Sequence, residues 1–149
     1  MRNQRSGFTL IEVLMVVVIA GLLIAMGVPK FAQLRESGRM KAAKTQLIST
    51  LTTARASAIQ NGRPARWIRI NNQVIVQTTN NAGNFTTFMS PIDFETNYKV
   101  QLTSTSSLVN YDARGFATGA NNFKVYIRGV TVDSVCITNA GAVLLRGCL

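Results

Sequence analysis

From Phe8 to Val28 the chain runs through 21 residues in which the sole ionisable side chain is Glu12. At about 1.5 Å of rise per residue, a helix of this run is roughly 30 Å long, the thickness of a bilayer's hydrocarbon core. The segment therefore reads as a membrane-spanning helix with a carboxylate near one end. A charged side chain inside a span costs on the order of 2.5 to 3.5 kcal/mol by insertion scales, so Glu12 calls for a partner. The residues ahead of the run, Met1 to Gly7 (MRNQRSG), carry Arg2 and Arg5. That basic stretch is expected to stay on the cytoplasmic side and to send everything after Pro29 outward.

Composition bounds the rest. A chain of 149 residues leaves room for one domain beyond the anchor, with a modest core. It has no histidine and only six acidic residues. No phosphate loop of recognised spacing and no carboxylate cluster suited to acid/base or metal chemistry is present, so neither an enzyme, a metal nor a cofactor is expected. Asp93 and Glu95 are expected on a loop or edge, aiding solubility. Asp112 beside Arg114 reads as a turn with a local ion pair. Cys136 and Cys148 fall in the exported part, where thiols oxidise, and are expected to pair in a disulfide that pins the C-terminal hairpin. Without Arg2 and Arg5, 14 basic residues stand against six acidic ones, leaving about +8 of the chain's +10. Such a balance attracts polyanions, whether headgroups or nucleic acid, without choosing between them.

Past the span the helical period continues. Met40, Ala43, Leu47, Leu51, Ala54 and Ala58 recur at steps of three and four, the apolar stripe of an amphipathic helix. Asn61-Gly62 with Pro64 should end it. Gly27, Pro29 and Gly38 mark where it could bend or melt. Thr45, Gln46, Ser49, Thr50, Thr53 and Ser57 form a face so poor in charge that a neighbouring subunit is expected to cover part of it. After Pro64 the period changes to two. The segments 66–70, 74–78, 85–89, 98–103, 123–128, 131–138 and 142–145 are rich in β-branched and aromatic residues, with turn residues between them. They predict an antiparallel sheet covered by one face of the helix. The expected organisation is residues 1–7 as a leader, 8–28 as a membrane and assembly helix, 29–60 as its amphipathic continuation and 61–149 as a β-sheet domain. The fold class is α+β, a ladle with the long helix as handle.

The stretch Gly7 to Glu12, GFTLIE, at the start of a spanning run, resembles the class III signal of type IV pilins and type II secretion pseudopilins. The resemblance implies that a prepilin peptidase cuts after Gly7 on the cytoplasmic face and N-methylates Phe8, and that Glu12 and Pro29 serve assembly. Three later patches resemble the GspH/FimT group of minor pilins. They are Ala54-Arg55 with Ala58-Ile59; Tyr111 to Gly115 (YDARG) followed by Phe123 to Ile127; and Val135 to Cys148. That group implies a structural subunit that primes or joins a pilus-like fibre. Its partners would be other pilins or pseudopilins, met through the N-terminal helix, the prepilin peptidase and the inner membrane. The chain would cross that membrane once with its C-terminal domain exported, and would enter the pilus or pseudopilus on assembly. A DNA-binding pilin of natural transformation and a type II secretion pseudopilin are the alternatives. DNA-binding members carry Gly-Arg-x-Arg in the last hairpin. Here Gly141, Ala142, Val143 and Leu144 stand in its place, with Arg146 two positions later, so both arginines of the pattern are missing.

Other basic residues have the charge for weak nucleic-acid contacts. Lys41, Lys44 and Arg55 fall within about a 60° arc beside the apolar stripe. Arg63, Arg66, Trp67 and Arg69 interleave charge with an aromatic, as a single-strand platform would. Arg66 and Arg69, however, must point to opposite faces of a strand.

Overall fold

The computed structural model describes residues 8–118, 123–128 and 132–144. It divides into two compact units, Met1–Glu36 and Ser37–Leu149. Helix α1, Leu10–Asn61, supplies the first unit and enters the second, and its backbone stays helical at Gly27, Pro29 and Gly38. In the first unit every side chain whose burial is described is exposed, including Leu10, Val13, Val17, Leu22 and Ile24. A helix apolar all round, with nothing of its own chain against it, has the character of a membrane span. One helix is long and apolar enough to cross a membrane, by length and composition.

In the second unit the same helix turns amphipathic. Met40, Ala43, Leu47, Leu51, Ala54 and Ala58 are all buried, as the period predicts. The helix ends in a Schellman motif. Gly62 adopts φ +60°, its N–H reaches the Ile59 carbonyl at 3.3 Å, and the Arg63 N–H reaches that of Ala58 at 3.1 Å.

The strands form two antiparallel sheets, not the single sheet expected. The first contains β1 (Ala65–Ile70), β2 (Gln73–Thr79), β3 (Phe85–Thr87), β4 (Ile92–Asp93), β6 (Leu108–Tyr111) and β7 (Ala117–Thr118). Its order is β3-β2-β1-β6-β7, with β4 paired to β2. The second contains β5 (Gln101–Ser104), β8 (Phe123–Arg128), β9 (Val132–Ile137) and β10 (Val143–Leu144), in the order β10-β9-β8-β5. The chain first passes from one sheet to the other through a short helix, α2 (Phe94–Tyr98), and returns to the first at β6. Asp93 caps α2 by accepting from the backbone N–H groups of Glu95 and Thr96, each at 2.9 Å, and Lys99 closes it at φ 57°. The strand expected at 98–103 therefore begins only at Gln101, and Asp93 has a structural task beyond solubility. Asn72, in the β1–β2 turn, ties the sheets by accepting from the Leu102 N–H at 2.9 Å. Arg69 adds a second tie through Ser104 Oγ at 2.7 Å.

Ala65 and Trp67 of β1, Val74 and Val76 of β2, and Val109 and Tyr111 of β6 point into a core shared with α1. The Trp67 indole N–H donates to Thr50 Oγ1 at 3.0 Å, and that hydroxyl donates to the Leu47 carbonyl at 2.8 Å. Thr50 and Ser57, expected under a neighbouring subunit, are thus buried in their own domain. The physical reason is their position at the margin of the apolar stripe, where a hydroxyl satisfied within the helix can enter a core. Thr50→Val should cost about 1 to 3 kcal/mol by taking away that buried acceptor. Thr50→Ser should restore most of it. Urea unfolding of the detergent-solubilised chain, followed by Trp67 fluorescence, measures both.

Candidate functional site: the helix start and the basic residues

The helix start is built by Thr9. Its Oγ1 accepts from the Glu12 N–H at 3.3 Å. Glu12 reaches back, Oε2 accepting from the Thr9 N–H at 3.1 Å and from the Thr9 hydroxyl at 3.0 Å. This is a capping box, two orphan donors at a helix end satisfied reciprocally by Thr-x-x-Glu. It answers in part the question the sequence raises about Glu12. The carboxylate sits at the positive end of the helix dipole and accepts two hydrogen bonds, which lowers the cost of carrying it in an apolar segment. The Thr9-x-x-Glu12 spacing was a legible signal, yet in the sequence Glu12 reads as a carboxylate still in need of a partner. Phe8 is exposed at this end. Gly7 lies outside the described residues, and of Pro29 only the helical backbone is described.

The basic residues do not assemble as the sequence suggested. Of the arc of three, Lys41 is exposed, whereas Lys44 forms a 2.7 Å ion pair with Asp133 of β9. Arg55 donates through Nε to the Gly115 carbonyl at 3.1 Å. Two of the three thus have partners within their own domain. Arg146 lies outside the described residues. The Trp67 platform is also overturned, because the indole is wholly buried. Around it, Arg66 bonds Gln77 at 2.7 Å and lies 4.0 Å over the Phe85 ring, while Arg69 turns to Ser104 on the other face. Arg63 bonds Asn81.

The three patches behind the GspH/FimT resemblance do come together. Arg55 and Ile59 from α1 meet the turn at Gly115 and the turn at Gly141. A Cβ on Gly141 would stand 2.1 Å from the Gly115 carbonyl oxygen and 3.0 Å from Arg55 Nε. One on Gly115 would stand 2.6 Å from Ile59 Cδ1. Both glycines also hold positive φ, +83° and +73°. Asp112 shapes the first turn by accepting from the N–H groups of Arg114 and Phe116, each at 2.9 Å, and it pairs with Arg114 at 3.3 Å as expected. The Phe116 N–H, then Arg114, hold its carboxyl below the usual range. The Thr96 N–H does the same, as the main cause, for Asp93. Behind the junction the Tyr111 hydroxyl is buried without a hydrogen-bond partner among the described residues; burial pushes its pKa well up, and the nearby Arg55 charge opposes the shift. These groups brace the helix against both sheets. Among the described residues no group of three or more His, Cys, Asp and Glu could hold a metal ion. Cys136 is buried in β9 and is not a free thiol, while Cys148 lies outside the described residues.

The prokaryotic N-terminal methylation motif matches residues 2–28. Among solved structures the chain is similar to the type IV minor pilin FimU of Pseudomonas aeruginosa strain PAO1. The identity is 14% and the TM-score 0.62, over 76% of this chain and 92% of that one. It is also similar to the minor pseudopilin EpsH of the Vibrio cholerae type 2 secretion system, at 11% identity and TM-score 0.58, over 72% of this chain and 96% of that one. At such identities the likeness is one of fold. No curated protein sequence matches the chain. Motif and fold together make it minor-pilin-like or pseudopilin-like.

The glycine junction yields a differential expectation. Gly62→Ala, with open space around its Cβ, should cost about 1 to 2 kcal/mol for left-handed backbone alone. Gly141→Ala should exceed that by about 1 to 3 kcal/mol, because its Cβ overlaps backbone that cannot step aside. Equal urea midpoints for the two variants would contradict the junction described above.

Proposed function

We propose that the chain is processed after Gly7, methylated at Phe8, and anchored by residues 8–28 as a single pass with its C-terminal domain exported. It then primes or joins a pilus-like fibre by packing that helix against other pilins. The observation that carries this reading is the wholly exposed apolar stretch of α1 headed by the Thr9–Glu12 capping box. Such a surface is stable only in lipid or against similar helices. Glu12 would exchange its Thr9 bonds for the Phe8 amine of a neighbour, since opposite charges in a low-dielectric setting attract more strongly than in water. Cys136 and Cys148 are proposed to pair, closing a loop of 11 intervening residues worth roughly 2 to 4 kcal/mol. The likeness to EpsH favours, as a second reading, a pseudopilin of type II secretion.

The intact mass of the purified full chain tests the proposal. The expected value corresponds to Phe8–Leu149 plus one methyl group and less two hydrogens for the disulfide. An N-terminus elsewhere removes the pilin reading, and a mass two hydrogens higher removes the disulfide alone.

A DNA-receptor role gains little support, since Lys44 and Arg55 are engaged and the last hairpin lacks its arginines. The purified full chain in detergent should bind duplex DNA only within the roughly 10⁻⁴ to 10⁻⁶ M range of nonspecific contacts at physiological salt. Arg146→Ala should change this little. Submicromolar binding lost with Arg146 alone would favour the receptor reading instead.

A further inference from the structure

The stretch just beyond the span is unusual for the side it would occupy. Two arginines, Arg2 and Arg5, precede the apolar run, whereas Lys30, Arg35, Arg39, Lys41 and Lys44 follow it. Flanking Lys and Arg normally mark the cytoplasmic side, so this excess opposes the export that the proposed function requires. Something on the far side must favour the charges. Lys30 and Arg35 are exposed and make no hydrogen bond or ion pair among the described residues. Between them, Phe31 and Leu34 are also exposed, at 68% and 67%. Bare apolar side chains alternating with unpartnered cations suit neither water nor a polynucleotide. They suit the boundary between acyl chains and headgroups, where apolar bodies sink and cationic tips stay at the phosphates.

Distances along the helix narrow the assignment. If Val28 ends the hydrocarbon core, Lys30 stands about 3 Å beyond it, Arg35 about 10 Å, Arg39 about 16 Å and Lys41 about 20 Å. The headgroup layer is about 5 to 8 Å deep on each side. A screening length of about 8 to 10 Å extends its reach. Lys30 and Arg35 fall inside that zone, Arg39 at its margin and Lys41 outside. We propose that Lys30 and Arg35, with Phe31 and Leu34, form a collar that binds anionic phospholipid headgroups on the exported face of the membrane. The collar would hold the subunit at a set depth until it is drawn into a fibre. It rests on the reading of residues 8–28 as a span.

The test uses the full chain in nanodiscs of phosphatidylcholine with a tenth of phosphatidylglycerol, followed by counting the lipids that stay bound after mild detergent extraction. Phosphatidylglycerol should be retained severalfold above its bulk share. In K30Q/R35Q the retained phosphatidylglycerol should fall to near its bulk share, since each cation near the surface adds to the attraction for anionic lipid. R39Q/K41Q removes the same charge further out and should keep most of it. Retention at the bulk ratio in the parent chain overturns the collar, as does equal loss in both double variants. Unchanged lipid enrichment in K30Q/R35Q, with duplex DNA binding lost instead, would move the surface to nucleic acid and likewise overturn it. An unprocessed N-terminus in the intact mass would remove the pilin reading while leaving the lipid result to stand by itself.

Discussion

One helix in this protein meets two environments, and the change in its side chains between them governs the rest of the architecture. As far as residue 36 the side chains of α1 with described burial are all exposed and largely apolar. From Met40 onward the apolar residues narrow to one stripe, and that stripe is fully occupied by the chain's own sheets. A helix with a stripe is satisfied by folding. A helix apolar all round is satisfied only by lipid or by other helices, because no backbone polar group in it needs water and no side chain gains from it. The second unit therefore reaches its folded state while the apolar side chains of the first stay exposed, and under the proposed function that unmet surface is what assembly would use.

The domain's interior rests on polar fittings at its margins as much as on apolar bulk. Thr50 enters the core because its hydroxyl both donates to Leu47 and accepts from Trp67. Lys44 and Arg55 lie beside the stripe, and each reaches across to a different sheet region, Asp133 on β9 and the Gly115 turn. Lys44 meets an acidic partner, whereas Arg55 is bonded to a neutral carbonyl and keeps its charge. The same geometry explains why two glycines are needed at 115 and 141. Arg55 can clamp both turns only if their backbones touch, and a Cβ at either position would hold them apart.

Much of this was legible in the sequence and some was not, for identifiable reasons. The span, the stripe from Met40 to Ala58, the helix end at Gly62 and the strands at 66–70, 74–78 and 123–128 follow from periodicity and turn chemistry, which act locally. The division into two sheets is set by which strands pair at long range, and the five-residue helix capped by Asp93, at the first crossing, is a local signal too short to outweigh the β-branched run that follows it. Strands β4, β6 and β7 were missed because two- to four-residue strands carry almost no period and are defined by their partners. The partners of Lys44 and Arg55 lie 89 and 60 residues away, beyond any pattern-based reasoning. Conversely, three patches far apart in sequence were singled out by resemblance alone, and the fold brings Arg55, Gly115 and Gly141 to one junction, which gives that resemblance a physical basis.

In the isolated chain the Glu12 carboxylate is held by a hydrogen bond from a backbone N–H and one from a hydroxyl, both neutral donors. Neutral donors to a carboxylate are each worth less than a cationic one, and the difference widens as water is excluded. A carboxylate so held is stable enough to wait in a membrane, yet it gains when a charged amine arrives in the same apolar surroundings. A stronger resting partner, such as a lysine one turn away, would remove that gain, and no partner at all would make the waiting state costly. Thr9 lies between these limits, with its hydroxyl joined to Glu12 both as donor and as acceptor. Under the proposed function, the cap at the helix start would set how readily the carboxylate passes to a neighbour's amine, and through it how strongly one subunit's register is tied to the next.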